Sequence, residues 1–448
     1  MDRNKPSKHS GWRAALSCGI LLLGCAAAGR ARALDNEADL QADVFYLYDE
    51  TQDLGLPDEA RGETGINLRP RLYTSLSEEW HSFVSLQFFY ATDTVDLSTD
   101  EFDQARASDR FAELRQLWLE WGGLTDYPGE ALRVGRERLR MDDGLVLDSD
   151  IVTARWAWDT TLLKGGIGVA EELDTFRTDD SELSDAEDNL KRTYAILRWQ
   201  YRYNAFVSAH VIDTDGSDNT VNAPQLTWSG LSFDNGYFDF RTRLPWQYYF
   251  TVYGVNGHET KDGAQVDVNG WAVDGGMRWR SGGDSGFNFG TQLTFTDDKP
   301  DGYRQTGLQS NRAYYLGART RLHRLNEALR ADLRNIGIAT AYIGLLPEKS
   351  PWEVGFAGHT LYLRDEQGPF SARGYSGHTN GTDKDIGRAL DLVISYYWDK
   401  NDNVMADDVR MDSYLRLVLS GFFPGKAFDA GGEDREVNRA SVEWAVTF

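Results

Sequence analysis

The sequence predicts an all-β fold: a monomeric transmembrane antiparallel β-barrel of about 18 strands. Three observations support this fold class. Aromatic residues make up 12% of a chain with low mean hydropathy. No segment after the N-terminus is long and apolar enough for a membrane helix, and apolar residues alternate with polar ones over many short stretches. Strands with lipid on one face and water on the other have this pattern.

The N-terminal segment, residues 1–33, has the features of a secretory signal peptide. Basic residues precede a short apolar run from Ala14 to Ala28, and Ala31-Arg32-Ala33 matches the A-x-A cleavage pattern. A lipoprotein signal is the open alternative, because the LLGC sequence would make Cys25 the lipidated first residue. Both cysteines lie in this segment, so residues 34–448 hold no disulfide framework.

The chain as a whole is acidic, but one short stretch is strongly basic. The net charge is −23, and −28 without residues 1–33, which argues against nucleic acid as a partner. Yet Arg133, Arg136, Arg138 and Arg140 fall within eight residues. Electrostatic fields are screened within about 8–10 Å, so acidic loops can coexist with a basic pore. This cluster favours a water-filled lumen that receives a polyanion.

The last strand illustrates the alternation best. Val442, Trp444 and Phe448 share one face, and Glu443 lies on the other. A terminal aromatic residue in phase with the lipid face resembles the assembly signal of outer-membrane barrels, whereas a soluble β-sandwich is the alternative. The predicted strands are 38–48, 64–76, 80–92, 111–122, 131–140, 151–158, 160–170, 192–202, 205–213, 224–240, 247–256, 269–281, 285–297, 333–346, 351–364, 387–398, 411–422 and 438–448.

Connections between these strands alternate in length. One end of the barrel has mostly short turns, and the other has long loops such as 171–191 and 298–332, as in outer-membrane barrels. The turn 399–410 is an exception and is expected to plug the pore from the periplasmic side. The acid-rich 171–191 loop is interpreted as a solvated loop, with contacts to calcium or lipopolysaccharide as an alternative.

Catalytic, metal and cofactor sites are not predicted. Gly283-Asp284-Ser285-Gly286 resembles a serine-protease loop, but no histidine and acidic partners occur at a diagnostic spacing. Gly166-Ile167-Gly168 lies on a strand rather than before a helix, so it is not a nucleotide loop. The chain has no HExxH motif and no cysteine ligand set.

Motifs spread over nearly all of residues 34–448 resemble the alginate export porins of the bacterial outer membrane (the AlgE type). They include INLRPR (66–71), LTDYPGEALRVGRERLR (124–140), WDTTLL (158–163), FRTDDSEL (176–183), LTWSGL (226–231), WAVDGGMRW (271–279), YRQTGLQSNR (303–312), ARTRLHRLNEALRADL (318–333) and IGRALDLV (386–393). The resemblance implies an eighteen-stranded barrel. It therefore places a nineteenth alternating segment, 311–322, in a loop folded toward the pore.

The resemblance also implies an electropositive constriction selective for anionic polyuronate. The sequence departs from the family pattern at two positions: Gln116 stands where an acidic residue is expected, and Val418 stands where a second arginine is expected. The family's pore arginines fall on Arg69, Arg115, Arg138, Arg321, Arg330 and Arg416, and its acidic lumen partners fall on Asp148 and Asp179.

Function follows from the same resemblance. It implies a non-enzymatic exporter of alginate, in contact with outer-membrane lipid and lipopolysaccharide, with 399–410 as the gating turn. A periplasmic scaffold lipoprotein is expected as a partner from the family alone. The first alternative is an uptake or general anion-selective porin for acidic oligosaccharides, which sequence barely separates from an exporter. An outer-membrane enzyme would need an outward-facing Ser/His/acid set, and an adhesin would not need a basic lumen.

Overall fold

The structure is a computed structural model with a defined set of described residues. It describes 35–50, 61–96, 107–127, 129–173, 176–179, 190–216, 224–242, 244–261, 264–281, 286–347, 349–374, 379–399, 412–428 and 436–448. The predicted signal peptide, 1–33, lies outside these ranges. So does the predicted gating turn, 399–410, apart from its first residue.

Twenty strands occur in the described residues, and eighteen of them form one sheet. The barrel strands are β1 (Asp35–Asp49), β2 (Arg61–Ser75), β3 (Trp80–Asp96), β4 (Ala107–Trp121), β5 (Glu130–Met141), β6 (Leu147–Asp159), β7 (Leu163–Glu171), β8 (Lys191–Arg202), β9 (Ala205–Asp215), β10 (Gln225–Asp234), β11 (Trp246–Lys261), β12 (Ala264–Arg280), β13 (Phe287–Thr296), β16 (Ile336–Leu345), β17 (Trp352–Leu363), β18 (Asp385–Asp399), β19 (Ser413–Pro424) and β20 (Val437–Thr447). The other two, β14 (Arg312–Ala313) and β15 (Leu322–His323), pair only with each other.

The eighteen-stranded sheet closes on itself. β1 pairs antiparallel with β2 on one side and with β20 on the other, where Val44 lies opposite Trp444. The predicted class and strand count are therefore confirmed. Residues 311–322 contribute only the short strand β14 and the first residue of β15, as expected for a loop.

One predicted strand was too long. We expected a strand over 224–240, but β10 ends at Asp234 and residues 235–242 fold inward as a turn. Tyr237 in this turn is fully buried, and its ring centre lies 4.6 Å from that of Tyr249, with the two rings tilted by 50°. The apolar residues of this segment resemble lipid-facing strand residues in the sequence. In the structure they pack inside the barrel, which is why the predicted strand was too long.

Alternating exposure along the strands fits a lipid-facing outer wall. In β20, Val442 and Trp444 are exposed, as is Phe448 directly after the strand, whereas Ala445 is fully buried. In β9, His210 is buried and Val211 is exposed. Among the described residues, no helix is long and apolar enough to cross a membrane. We name the end with the short connections, the start of β1 and the end of β20 the turn end, and the opposite end the loop end.

A hairpin formed by the end of β5 and the start of β6 leaves the barrel wall. The β4–β5 ladder stops at Leu117 and Arg136, and the β6–β7 ladder starts only at Val152 and Glu171. Between these points β5 and β6 pair only with each other. Residues 147–151 are all buried, so the alternation between lipid and water is lost. We call residues 137–151 the inner arm.

Gly135 lies where the inner arm departs from the wall. Its φ of 136° is one that residues with a side chain rarely adopt, and an added Cβ would lie 2.2 Å from the Leu117 carbonyl oxygen. Residues 176–179 close the wall beside β4 in place of β5. Thr178 and Ala112 exchange backbone and side-chain hydrogen bonds there, and Arg177 bridges to Glu113.

A second segment, residues 297–335, also folds into the lumen, and we call it the inner loop. Its backbone contacts the inner arm: Ser310 and Asn311 donate to the Gly144 carbonyl at 3.1 and 2.9 Å. Leu325 and Leu329 join Leu145 of the arm in the largest buried apolar cluster. The main apolar core therefore lies inside the barrel at the loop end, where it holds both inward segments together.

Candidate functional site

The inner arm carries a cluster of buried ion pairs inside the barrel. Arg138 donates to Asp148 at 2.8 Å, and Arg140 lies 3.3 Å from the same carboxylate. Arg115 on β4 reaches Asp150 at 2.6 Å. The antiparallel register explains this pairing, because Arg138 and Arg140 lie opposite residues 150 and 148. Each of these three arginines thus lies beside a carboxylate. We call this region the constriction, after the narrowing that the family resemblance implies.

Asp148 links the constriction to the inner loop. Its carboxylate accepts a hydrogen bond from the Ser310 hydroxyl at 2.7 Å, and its backbone N–H donates to the Leu308 carbonyl. The charge of Arg321 also acts on Asp148. The Arg321 guanidinium carbon lies 5.0 Å from the ring centre of Tyr314. Arg115, Arg138, Asp148 and Arg321, four of the residues that the resemblance implies, therefore lie together around the inner arm.

The remaining predicted arginines lie in separate ion pairs. Arg69 on β2 binds Asp43 on β1. Arg416 on β19 lies 3.2 Å from Glu443 on β20 and 4.1 Å from the ring centre of Tyr414.

Arg330 in the inner loop lies 3.3 Å from Asp49, which Arg439 also approaches at 3.4 Å. The backbone of Arg330 has a φ of +51° and its side chain is buried. Arg69, Arg330 and Arg416 thus pair with carboxylates on β1 or β20, away from the inner arm.

Asp179 lies in the segment that closes the wall beside β4. Its carboxylate binds the Arg177 guanidinium, with one bond of 2.8 Å from Nε. Arg177 in turn lies 3.9 Å from the ring centre of Phe111. Arg136 covers Phe176 at 4.7 Å and binds Glu113 at 2.9 Å. The contacts of Asp179 therefore lie at the loop-end wall, whereas those of Asp148 lie in the constriction.

The tip of the inner arm crosses the lumen to the opposite wall. Asp142 lies 3.0 Å from Nδ1 of His210 on β9, and the Ser232 hydroxyl on β10 donates to Asp142 at 3.3 Å. Asp142 and Asp143 both have positive φ, at 47° and 51°. Carboxylate side chains tolerate this backbone region better than most residues do. The arm is therefore held at its base by β4 and at its tip by β9 and β10.

The inner loop is fixed by a buried polar chain. Thr340, His359 and Asp391 are linked by two contacts of 2.9 Å, and Asn326 donates to Asp391 at 2.9 Å. The side chains of His359 and Asp391 are fully buried. Because these hydrogen-bonded side chains are closed off from solvent, they are suited to anchoring the inner loop rather than to binding a substrate.

His323 stabilises the same loop in its neutral form. Burial lowers the pKa of His323 well below 6.5, and the charges of Arg312, Arg373 and Arg330 act in the same direction. Its Nδ1 atom accepts a hydrogen bond from the Leu325 N–H at 3.2 Å, which a protonated ring could not do.

On the turn side of the constriction lies an open cavity of about 1200 Å³, which we call the chamber. Its lining runs from the turns at Glu78, Gly129 and Asn204 up to the arm at Arg140 and the inner loop at Arg321. The described lining includes seven arginine and lysine residues and eight aspartate and glutamate residues. The chamber is thus nearly balanced in charge.

Several lumen residues were missed from sequence. Asp43, Asp150 and Glu443 each pair with a predicted arginine. Acidic residues on the inward phase of neighbouring strands could have signalled these pairs, but only the cross-strand register identifies the partners. Among the described residues, no group of three metal-binding side chains is present.

Comparisons with known proteins agree with this architecture. A family model described as alginate export matches residues 38–442. The alginate production protein AlgE of Pseudomonas aeruginosa is 29% identical, with 97% of this chain and 97% of that protein covered. AlgE of Pseudomonas syringae pv. tomato is also 29% identical, with 85% of this chain and 87% of that protein covered.

Solved structures support the fold alone. OccAB1 of Acinetobacter baumannii has a TM-score of 0.58 at 11% identity, covering 93% of this chain and 97% of its own. OpdK of Pseudomonas aeruginosa, solved with vanillate, has a TM-score of 0.55 at 11% identity and covers 92% and 99%. The closed eighteen-stranded barrel and the family match over most of the chain place this protein in the bacterial outer membrane, and it belongs to the alginate export family.

Proposed function

We propose that this protein is an outer-membrane porin that exports alginate, an anionic polyuronate, from the periplasm to the cell surface. The observation that carries the proposal is the alginate export match over residues 38–442, on a barrel whose interior holds the paired arginines of the inner arm. The finer assignment of pore residues rests on their position and chemistry. Transport in the family supports a non-catalytic role.

The chemistry of the cargo explains why arginine would line the path. A polyuronate carries one carboxylate per sugar, and a guanidinium binds carboxylates with two parallel hydrogen bonds while staying charged at any working pH. Arg115, Arg138 and Arg321 would bind successive carboxylates at the constriction. Several weak adjacent sites allow a polymer to enter and still leave.

Carboxylates already present in the lumen would keep this binding reversible. Asp148 holds Arg138 and Arg140, and a passing uronate would compete with it for the same donors. In our proposal Asp148 orients these arginines and prevents any one site from trapping the chain. Arg69, Arg330, Arg416 and Asp179 complete the proposed lumen set on other parts of the wall.

Direction and partners complete the proposal. The turn end would face the periplasm, and the 399–410 turn between β18 and β19 would gate it. Residues 1–33 would direct export and be removed. Outer-membrane lipid and lipopolysaccharide would surround the barrel, and a periplasmic scaffold lipoprotein would deliver the polymer. An uptake or general anion porin for acidic oligosaccharides is the alternative.

Ion selectivity in a planar bilayer tests the pore assignment. We expect an anion-selective reversal potential under a salt gradient, and current that is blocked by added polymannuronate. Arg138→Ala should weaken the block, because it removes one carboxylate-binding group from the constriction. A variant without residues 399–410 serves as the ungated reference. Cation selectivity, or no channel even in that variant, would contradict the proposal.

A further inference from the structure

The chamber contains a cation that differs from those of the constriction. The side chain of Arg198 on β8 is 41% exposed, whereas those of Arg138 and Arg115 are 6% and 10% exposed. Arg198 donates one hydrogen bond of 2.9 Å to Asp234. A guanidinium has five N–H donors, so most of its hydrogen-bonding capacity faces accessible space.

Asp234 does not depend on Arg198 alone. The same carboxylate oxygen also accepts a hydrogen bond from the Gly236 N–H at 2.8 Å. The Arg198 guanidinium carbon lies 4.1 Å from the ring centre of Phe206, which keeps it close to the wall. Arg198 is therefore a positioned but accessible cation, and an incoming carboxylate can bind it without separating the buried ion pairs of the inner arm.

Half-buried aromatic rings connect the chamber with the constriction. Phe240 of the turn after β10 and Tyr314 of the inner loop have ring centres 5.7 Å apart, and both line the chamber. Arg321 lies over Tyr314 at 5.0 Å, and Arg319 lies over Phe240 at 5.0 Å. Aromatic faces next to cations suit a ligand that presents both apolar C–H surfaces and carboxylates.

We propose that the chamber is a separate binding subsite for a short stretch of anionic polysaccharide on the turn side of the constriction. Arg198 binds a uronate carboxylate there, while Phe240 and Tyr314 contact the faces of sugar rings. This inference rests on the proposed transport of polyuronate and adds to it a first binding step. From the chamber, Tyr314 leads directly to Arg321 at the constriction.

The charge balance of the chamber explains why this subsite would bind weakly. Seven basic and eight acidic residues line it, so a uronate segment meets local attraction at Arg198 but no strong overall field. A site that binds weakly can fill from a dilute supply and release its ligand into the next site. A strongly basic chamber would hold the polymer instead of passing it on.

Single-channel block by a mannuronate tetramer tests the subsite. The tetramer is added to one compartment at a time, and a biotinylated cysteine made by Lys349→Cys in the turn between β16 and β17 identifies the turn side by streptavidin binding. We expect discrete blocks from the turn side, with residence times about tenfold shorter in Arg198→Ala, as for loss of one charge-assisted hydrogen bond.

Matched variants separate charge from stacking. Arg202→Ala, an exposed arginine on the same strand that does not line the chamber, should leave residence times unchanged. Arg198→Lys should retain much of the block. Phe240→Leu should shorten blocks by the charged tetramer and by a neutral mannose tetramer alike. Heat-modifiable migration on gels confirms that each variant has assembled as a barrel.

The outcomes distinguish this inference from the proposed function. If Arg198→Ala and Phe240→Leu leave turn-side residence times unchanged while Arg138→Ala shortens them, the chamber subsite is wrong and the constriction stands. If none of the three variants changes the block, the arginine-lined pathway fails as well. Equal block from both sides with no effect of Arg198→Ala also overturns the subsite.

Discussion

The constriction and the chamber both present arginines to the lumen, but they differ in how those arginines are paired. In the constriction, Arg138 is 6% exposed and its partner Asp148 is 1% exposed, with Arg140 and Ser310 bound to the same carboxylate. In the chamber, Arg198 is 41% exposed and has one carboxylate partner. Burial and shared partners make the first group part of the architecture, whereas exposure leaves the second available to a ligand.

The number of arginines alone therefore does not show how many of them can bind a ligand. A buried guanidinium whose carboxylate is held by two further groups is costly to disturb, because the separated charges stay in a poorly solvated place. An exposed pair exchanges partners at little cost, since water and salt screen it. The inner arm would therefore fix the width and charge of the pathway, and the chamber would supply reversible binding.

The largest expected effect comes from removing the charge at the centre of the constriction. Asp148→Asn leaves Arg138 and Arg140 buried without their carboxylate, and we expect a loss of about 3–5 kcal/mol of unfolding free energy. The matched change in the chamber, Asp234→Asn, should cost about 0–1 kcal/mol, because Arg198 is exposed. Urea unfolding in detergent measures both variants, and equal losses would remove the distinction between the two regions.

A smaller loss is expected at the base of the inner arm. Gly135→Ala places a Cβ 2.2 Å from the Leu117 carbonyl oxygen at a φ of 136°, and we expect about 1–3 kcal/mol of strain. Gly307→Ala is the control, because its φ of 87° is also positive but nothing lies within 4 Å of the added Cβ. Thermal unfolding should separate the two variants. A control that loses as much stability as Gly135→Ala would argue against a steric role for Gly135.

The pH dependence of the inner loop should come next in size. Since His323 has a pKa well below 6.5 in the folded protein, the unfolded chain binds more protons as pH falls below 6.5. Stability is therefore nearly complete at neutral pH and decreases toward acid, by at most about 2 kcal/mol between pH 7 and pH 5, a limit set by the unfolded pKa of about 6.5. Urea unfolding at both pH values should show a shallower decrease for His323→Gln. An unchanged slope would show that His323 does not carry this dependence.

The smallest effect concerns salt. Raising ionic strength from about 0.1 M to 1 M shortens the Debye length from about 10 Å to 3 Å, which weakens exposed charges more than buried ones. The difference in tetramer residence time between wild type and Arg198→Ala should shrink as salt rises. The stability difference between wild type and Asp148→Asn should change little. If high salt affects both differences equally, the charges of the two regions are equally screened.

Sequence predicted the wall of this protein better than its interior. Alternation marked all eighteen barrel strands, because lipid and water impose opposite demands on successive residues of each strand. It also marked 311–322, which only the family resemblance assigned to a loop. The same alternation failed at residues 235–240, where apolar side chains pack inside the lumen. It also could not show that β5 and β6 leave the wall, since residues 137–151 remain a paired hairpin.

The site was predictable only in part for a related reason. Family motifs located Arg115, Arg138, Asp148 and Arg321, and these four residues lie at the constriction. The contact of Asp142 with His210 joins residues 68 positions apart in the sequence across the lumen, and no local pattern encodes it. The exposure of Arg198 depends on the shape of the chamber, which arises only when two separate segments fold inward.

Efflux from proteoliposomes tests most directly whether the barrel is an arginine-lined path for polyuronate. Labelled polymannuronate and a neutral dextran of similar length are enclosed together, and their release through the variant without residues 399–410 is followed with time. We expect polymannuronate to be released faster than dextran, and we expect this difference in rate to be smaller in Arg138→Ala. Dextran release that equals or exceeds polymannuronate release would contradict an arginine-lined path for polyuronate.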